Sequence, residues 1–187
     1  MKIGINMKVV IIGCGLIGQK RANSLGSNPL IACCDIDKKV AENFSIKNKI
    51  PYYLDIDKLF QNEDFDIAIL SATHNSLPGL IKKCLENNKH VLVEKPAARF
   101  SNELEGLNNL AKNNNCKVHV GFNHRYHRAF RKANEIISSD ELGGIMFIRG
   151  RYGHGGRIGY NKEWRSKPEL SGGGELIDQG SHLIDLS

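Results

Sequence analysis

Lys8-Val9-Val10-Ile11-Ile12-Gly13-Cys14-Gly15-Leu16-Ile17-Gly18 is the stretch on which the fold of this 187-residue chain turns. An uninterrupted run of β-branched residues predicts a short strand buried on both faces. It flows directly into G-x-G-x-x-G, and Gln19 to Leu25 then reads as a helix. In that order each glycine has its own reason. The first permits a tight turn, the second lets a pyrophosphate approach the backbone, and the third lets helix and strand pack closely. Unpaired N–H groups at the helix start face the phosphates. A structural Gly-rich turn looks the same in isolation, so the residues downstream decide.

Leu30-Ile31-Ala32-Cys33-Cys34 reads as a second strand, and it ends at Asp35, 20 residues after Gly15. A carboxylate at that distance accepts hydrogen bonds from ribose hydroxyls and repels the extra phosphate of NADP, which favours NAD; Lys38 and Lys39 nearby weaken that preference. Asp37 is a rival for the role, although its place before Lys38–Lys47 suits a helix N-cap. Further on come a short segment around Pro51-Tyr52-Tyr53 and a helical turn from Asp57 to Phe60. Asp66–Leu70 is another buried strand, and a helix follows from about Leu77 to Asn87. His90–Val93 is a strand closed by Glu94-Lys95-Pro96, where proline stops the ladder. Ser101 is a candidate N-cap for a helix through Lys112, and Lys117–Val120 closes the series. Strands alternating with helices imply a doubly wound parallel sheet, a Rossmann-type α/β fold over residues 1–121.

Ligands of such sheets bind outside the carboxyl ends of the strands. Ser71 and Thr73 at one exit, and Glu94 and Lys95 at another, therefore join Gly13, Cys14, Gly15, Leu16, Ile17, Gly18 and Asp35 as candidate cofactor contacts. His74 lies in the same loop and reads as a solvated bystander.

Hydrophobic residues make up 41% of the chain and charged residues 25%, a globular composition with material for a sizeable core. No run reaches the length of a membrane span, and Met1 to Met7 lacks the apolar core of a signal peptide. Met7 is a candidate natural start. The five cysteines form no C-x-x-C pair and sit in apolar patterns, which argues for reduced thiols in a cytoplasm and against a metal site. The net charge of +6 is spread along the chain. It suits phosphate-bearing small ligands, and neither a nucleic acid nor a membrane is expected as partner.

After Gly121 the pattern changes. A basic stretch from Phe122 runs into a helix ending near Ile137, with Phe130, Ala133 and Ile137 on one face. Arg128, Arg131 and Lys132 read as a solvated face, whereas Asn123 and Arg125, nearest the junction, are candidates for reaching substrate. Ile145–Arg149 reads as a strand, and Gly150 to Gly159 as an open loop over a site. In the last segment Leu176, Ile177, Leu183 and Ile184 are assigned to the buried side of a helix. Asp178 and His182, four apart, share a face. A histidine beside a carboxylate is a proton donor and acceptor, a helix brace, or the start of a metal site that lacks a third ligand.

The chain resembles the family of glucose–fructose oxidoreductase, inositol dehydrogenase and rhizopine-catabolism proteins. The resemblance rests on Gly13-x-Gly15-x-x-Gly18, Asp35, Lys89-His90-Val91-Leu92-Val93-Glu94-Lys95-Pro96, Asn123-x-Arg125-Tyr126 and Gly172-Gly173-Gly174-x-Leu176-x-Asp178-x-Gly180-x-His182, in family order. It implies a Rossmann domain followed by an α/β domain with a mostly antiparallel sheet. It implies a catalytic set of Lys95, Asp178 and His182: the lysine on the reacting hydroxyl, the histidine as general acid/base, the aspartate positioning it or the substrate. A cis Lys95–Pro96 bond is expected by the same resemblance. The substrate would be a sugar, polyol or nucleotide-sugar contacted by Lys95, Asn123, Arg125, Asp178 and His182, and the full-length form a homo-oligomer. Two departures stand out. The family often has Thr-Pro with a histidine a few residues later, where this chain has Thr73-His74 and Pro78. Family members also continue well past residue 187, so residues 122–187 read as a truncated start of the second domain, with poor stability expected for residues 121–187. Two alternatives share the pattern: an NAD-dependent glycosidase with transient oxidation, and a non-catalytic dinucleotide-binding regulator.

Overall fold

The computed structural model describes residues 6–153 and 158–187. Its centre is β1 (Val9–Ile12), four residues buried on both faces. The chain continues through α1 (Leu16–Ala22), β2 (Leu30–Cys34), α2 (Lys38–Asn48), β3 (Tyr52–Tyr53) and α3 (Ile56–Asn62). It then returns across the sheet to β4 (Ile67–Leu70), α4 (Leu77–Glu86), β5 (His90–Val93), α5 (Leu107–Asn113) and β6 (Val118–Val120). The six strands are parallel in the order β3-β2-β1-β4-β5-β6. The order reverses between β1 and β4, which leaves a crevice at their carboxyl ends.

Side chains alternate across the sheet, so β1 feeds both layers. Val10 and Ile12 join Leu59, Leu70, Ile81 and Leu85 on one side. Val9 and Ile11 join Cys33, Phe44 and Ile69 on the other. In α4, Leu77, Ile81, Cys84 and Leu85 recur at helical spacing and are all buried. Burying each large side chain stabilises by about 1.5–3 kcal/mol. Helix starts are fixed locally: Asp37 accepts from the N–H of Lys39 and Val40, and Asp55 from those of Asp57 and Lys58. Asp37 is thus the cap of α2.

Three expectations are corrected. Ser101 does not cap a helix reaching Lys112. Residues Ser101–Leu104 form a 3₁₀ turn, Glu103 folds back to accept from the N–H of Arg99 and Phe100, and Gly106 at φ +77° turns the chain before α5 begins. Ile145–Arg149 is not a strand, because a strand needs a hydrogen-bonded neighbour and the described residues offer it none. The helix α6 (Arg128–Ser138) forms as expected, and its apolar members Phe130, Ile136 and Ile137 are exposed.

The closing segment runs from the single turn α7 (Pro168–Ser171) through a π-helical stretch, Leu176–Gly180, into α8 (Ser181–Leu186). Its most buried side differs from the expectation. Leu176 and Ile184 are exposed and Ile177 and Leu183 half-buried, whereas Asp178 and His182 are buried. Polar contacts across the crevice decide that orientation. Of the glycine-rich loop, residues 154–157 lie outside the described residues, as do the first five, so its course over a site is not described.

Candidate active site

The glycine loop is shaped by contact. Gly13 has φ +93°, and a Cβ there would lie 2.5 Å from the carbonyl carbon of Ser71. A Cβ on Gly18 would lie 2.2 Å from the Gly13 oxygen. Gly15 is different: a Cβ there would meet nothing within 4 Å, so its surface is left clear. The N–H groups of the first turn of α1 have no acceptor inside the helix. A loop closed on its protein side and open on its outer side fits a dinucleotide pyrophosphate.

Asp35, at the end of β2, accepts from the Cys14 N–H at 2.8 Å and the Asp37 N–H at 2.9 Å, which fixes its carboxylate beside the loop. The Cys14 side chain is buried. Its thiol is driven far up in pKa, first by a hydrogen bond with Cys33 and then by burial, and so stays protonated. Ser71 donates to the Gly13 carbonyl at 2.6 Å and braces the turn. Glu94 is paired with Arg21 of α1. Thr73 bonds Asn75 and lies outside the cleft lining.

From this loop a cleft of about 690 Å³ extends over the sheet edge, past Gly15, Leu16 and Ile17, to Lys95, Asp178 and His182. The Lys95–Pro96 peptide is cis. Lys95 donates to Asp178 Oδ1 at 2.7 Å and also to its backbone carbonyl. The other carboxylate oxygen accepts from the Tyr160 hydroxyl at 3.3 Å and lies 3.6 Å from Arg165 Nε. Burial works to raise the Asp178 pKa, but the hydrogen bond and charge of Lys95, with Arg165 behind, outweigh it and hold the carboxyl below its usual value.

His182 lies one turn beyond Asp178 without a hydrogen bond to it. Its ring stacks on His124, centroids 3.9 Å apart, with Phe122 and Tyr152 at its edges. Nδ1 is buried without a hydrogen-bond partner among the described residues. Burial first, then Lys95 and His124, push the ring down to about 4, so it is neutral at pH 7. Asp178 thus holds Lys95, and the aromatic neighbours pack the His182 ring.

Asn123 lines the cleft. Arg125 does not; its guanidinium grips Asp185 of α8 at 2.8 Å and 3.0 Å on the exposed side. His74 is the clearest correction. It is 4% exposed rather than solvated, with Nδ1 2.9 Å from the Ser171 carbonyl and its ring edge-on to Trp164. Sequence reasoning also missed His124, Tyr160, Trp164 and Arg165. For His124 a signal existed, because it sits between Asn123 and Arg125 in a stretch already suspected. No group of three metal-ligating side chains occurs among the described residues.

The family profile described as an oxidoreductase family with an NAD-binding Rossmann fold matches residues 7–122, and the GFO/IDH/MocA C-terminal domain profile matches residues 130–187. The chain belongs to the GFO/IDH/MocA oxidoreductase family. It is 28% identical over 157 residues to trans-1,2-dihydrobenzene-1,2-diol dehydrogenase of Xenopus tropicalis, covering 83% of this chain and 46% of that protein. It is 27% identical to inositol 2-dehydrogenase of Salmonella paratyphi B, covering 79% and 46%. The crystal structure of myo-inositol 2-dehydrogenase from Lactobacillus plantarum superposes with TM-score 0.87 at 25% identity, covering 97% of this chain and 55% of that one. The chain spans about half the length of the curated relatives it matches. No helix among the described residues is long and apolar enough to cross a membrane. The glycine loop and Asp35 both lie within residues 7–122, the part matched by the NAD-binding profile.

Proposed function

We propose that this chain carries the cofactor and proton-transfer sites of an NAD-dependent dehydrogenase acting on a secondary alcohol of a sugar, polyol or nucleotide-sugar. The observation that carries the reading is the Lys95–Asp178 pair, with neutral His182 one turn away, in a cleft that opens from Gly15. Residues 1–121 serve as the NAD-binding unit and residues 122–187 as the beginning of the substrate-binding domain. Asp35 favours NAD over NADP by opposing a phosphate on the ribose. The enzyme is a cytoplasmic one, in keeping with its five unpaired thiols, and its full-length form a homo-oligomer.

When bound, NAD supplies the hydride acceptor for the carbinol carbon. The Lys95 ammonium, held by Asp178, lies against the reacting oxygen and stabilises the negative charge that grows as the hydroxyl proton leaves. His182 takes that proton. A ring that is neutral at pH 7 accepts it in oxidation, and returns it when the carbonyl is reduced. Tyr160 and Arg165 keep the carboxylate of Asp178 aimed at Lys95, so the ammonium does not swing away. Arg125, spent on Asp185, is a support of α8 rather than a substrate contact.

NADH absorbance over a panel of sugars, polyols and nucleotide-sugars tests the reading. Substrate-dependent NADH formation supports it. NAD binding with glycoside cleavage but no net NADH would move the assignment to the NAD-dependent glycosidase, and binding without turnover to the regulator.

A further inference from the structure

The buried histidine at the cleft wall, His74, has one nitrogen committed and one free. A backbone carbonyl only accepts, so the 2.9 Å contact with Ser171 requires the proton on Nδ1. Burial lowers the His74 pKa, which leaves the ring neutral and Nε2 a bare acceptor. Nε2 has no hydrogen-bond partner among the described residues, yet it is not one of the sealed polar atoms, which are Gln19 Oε1 and His182 Nδ1. It is therefore open to one of the two cavities that His74 lines: the main cleft, and a side cavity of about 100 Å³ that shares Tyr160, Arg165 and Asp178 with it. Around it the cationic donors are engaged: Lys95 by Asp178, and Arg165 by Glu163 and Asp178.

A ring 4% exposed, pinned by Ser171 and by Trp164, is rigid enough to present a directional lone pair. An acceptor that opens on a cavity is paired by water in the free protein, and a ligand group can replace that water only if it brings a donor. We propose that His74 is a ligand-reading residue whose Nε2 accepts a hydrogen bond from an uncharged N–H or O–H donor. Two sources supply that chemistry at this place, the nicotinamide carboxamide and a substrate hydroxyl. The inference rests on the proposed function and deepens it. His74 sits on the loop after β4, and its other nitrogen holds the segment that leads into Gly172-Gly173-Gly174 and Asp178. Occupation of Nε2 by a ligand donor thus steadies the wall that carries Asp178.

Isothermal titration with NAD separates the sources. His74→Asn keeps an amide donor where Nδ1–H stood and removes the acceptor, whereas His74→Gln reaches out with an amide oxygen in place of Nε2. If the carboxamide is the donor, H74N binds NAD about three- to tenfold more weakly, as for one lost uncharged hydrogen bond, and H74Q recovers most of the affinity. With 3-acetylpyridine adenine dinucleotide, which has a methyl ketone and no N–H, parent and H74N then bind alike. If a substrate hydroxyl is the donor, NAD affinity is unchanged and KM for the alcohol rises in H74N at constant kcat. A difference that persists with the acetylpyridine analogue, or no change in either affinity or KM, overturns the inference. Should H74N melt early, the parent alone still decides for the carboxamide: it must bind the analogue more weakly than NAD by the same factor. Failure of the parent to bind NAD removes the proposed function and this inference together, whereas NAD binding with no His74 effect removes this inference alone.

Discussion

The two halves of the molecule bury different things. In the sheet unit, Ile11, Phe44 and Leu59 are completely shielded by strands and helices whose apolar faces meet. In residues 123–187, Met146 and Phe147 are 90% and 77% exposed, and the buried residues of the closing segment are Ser171, Asp178 and His182. The first half is held by apolar burial, which is non-directional and large. The second is docked on it by polar contacts: Lys95 to Asp178, His74 to Ser171, Arg99 to the Glu169 carbonyl. A site assembled at such a junction has its charges partly desolvated without a hydrophobic core around them. The geometry of the proposed chemistry therefore depends on the weaker half.

The largest expected effect comes from cutting the docking pair. Lys95→Met should lower turnover by about 10²–10⁴, the range for a group that assists proton transfer. It should also destabilise, because Asp178 loses its nearest cation and keeps only Arg165 at 3.6 Å and the Tyr160 hydroxyl; with those left, the cost should fall below the roughly 3–5 kcal/mol of a buried pair broken outright. Lys95→Met with Asp178→Asn should recover part of the stability and none of the turnover. Proteolysis of residues 160–187 that is no faster in Lys95→Met than in the parent would break the claim that this pair holds the second half.

Next in size is the glycine loop, which belongs wholly to the first half. Gly18→Ala puts a Cβ 2.2 Å from the Gly13 oxygen, so either the turn or α1 must shift. The expected cost is at the upper end of about 1–3 kcal/mol for overpacking, with loss of NAD binding. Gly15→Ala meets no protein atom within 4 Å and should melt like the parent, yet lose NAD affinity because a methyl stands where the pyrophosphate approaches. Thermal melts with NAD titrations read both. Equal NAD binding by Gly15→Ala and the parent would remove the pyrophosphate from this loop.

The same contrast explains what the sequence made legible. The strand before Gly13, the caps at Asp37 and Asp55, and the helical spacing of Leu77, Ile81 and Leu85 are local signals, and the parallel sheet follows from their alternation. His74 had no local signal. Its burial depends on Trp164 and Ser171, about ninety residues away, so a loop histidine read from its neighbours alone is taken as solvated. Ile145–Arg149 has the composition of a strand, but composition does not supply a neighbour to pair with. Leu176 and Ile184 have the pattern of a buried face, and the neighbouring face carrying Asp178 and His182 is buried instead, because it meets Lys95 and His124. Local pattern describes the half whose core is its own; it fails where the partner surface decides.

A smaller effect is a pH dependence rooted in the junction. His182 titrates at about 4 in the folded protein and near 6.5 unfolded, so between those values the unfolded chain holds the extra proton. The contribution of His182 to stability is complete above about pH 6.5 and is lost as pH falls toward 4. His74, also lowered by burial, acts with the same sign. Asp178, lowered below the usual carboxylate value, loses its contribution only at still lower pH. Thermal melts from pH 4.5 to 7.5 should slope upward with pH, and His182→Phe should flatten the slope. A slope unchanged by that substitution would place the titrating group elsewhere.

The smallest expected effect bears on the comparison most directly. Ile81 of α4 is 1% exposed, whereas Ile136 and Ile137 of α6 are 37% and 44% exposed. Ile81→Ala removes methyl groups from a closed core and should cost about 2–5 kcal/mol. Ile136→Ser with Ile137→Ser removes more apolar surface from a helix face that meets little, and should stay within about 0.5 kcal/mol of the parent. Chemical denaturation with a constant m-value measures both. If the double variant instead loses more than about 1 kcal/mol, the α6 face is covered in solution, and the second half is held by apolar burial after all. The polar contacts at Lys95 and His74 would then align a surface already held in place, and their removal should cost activity while leaving residues 160–187 docked.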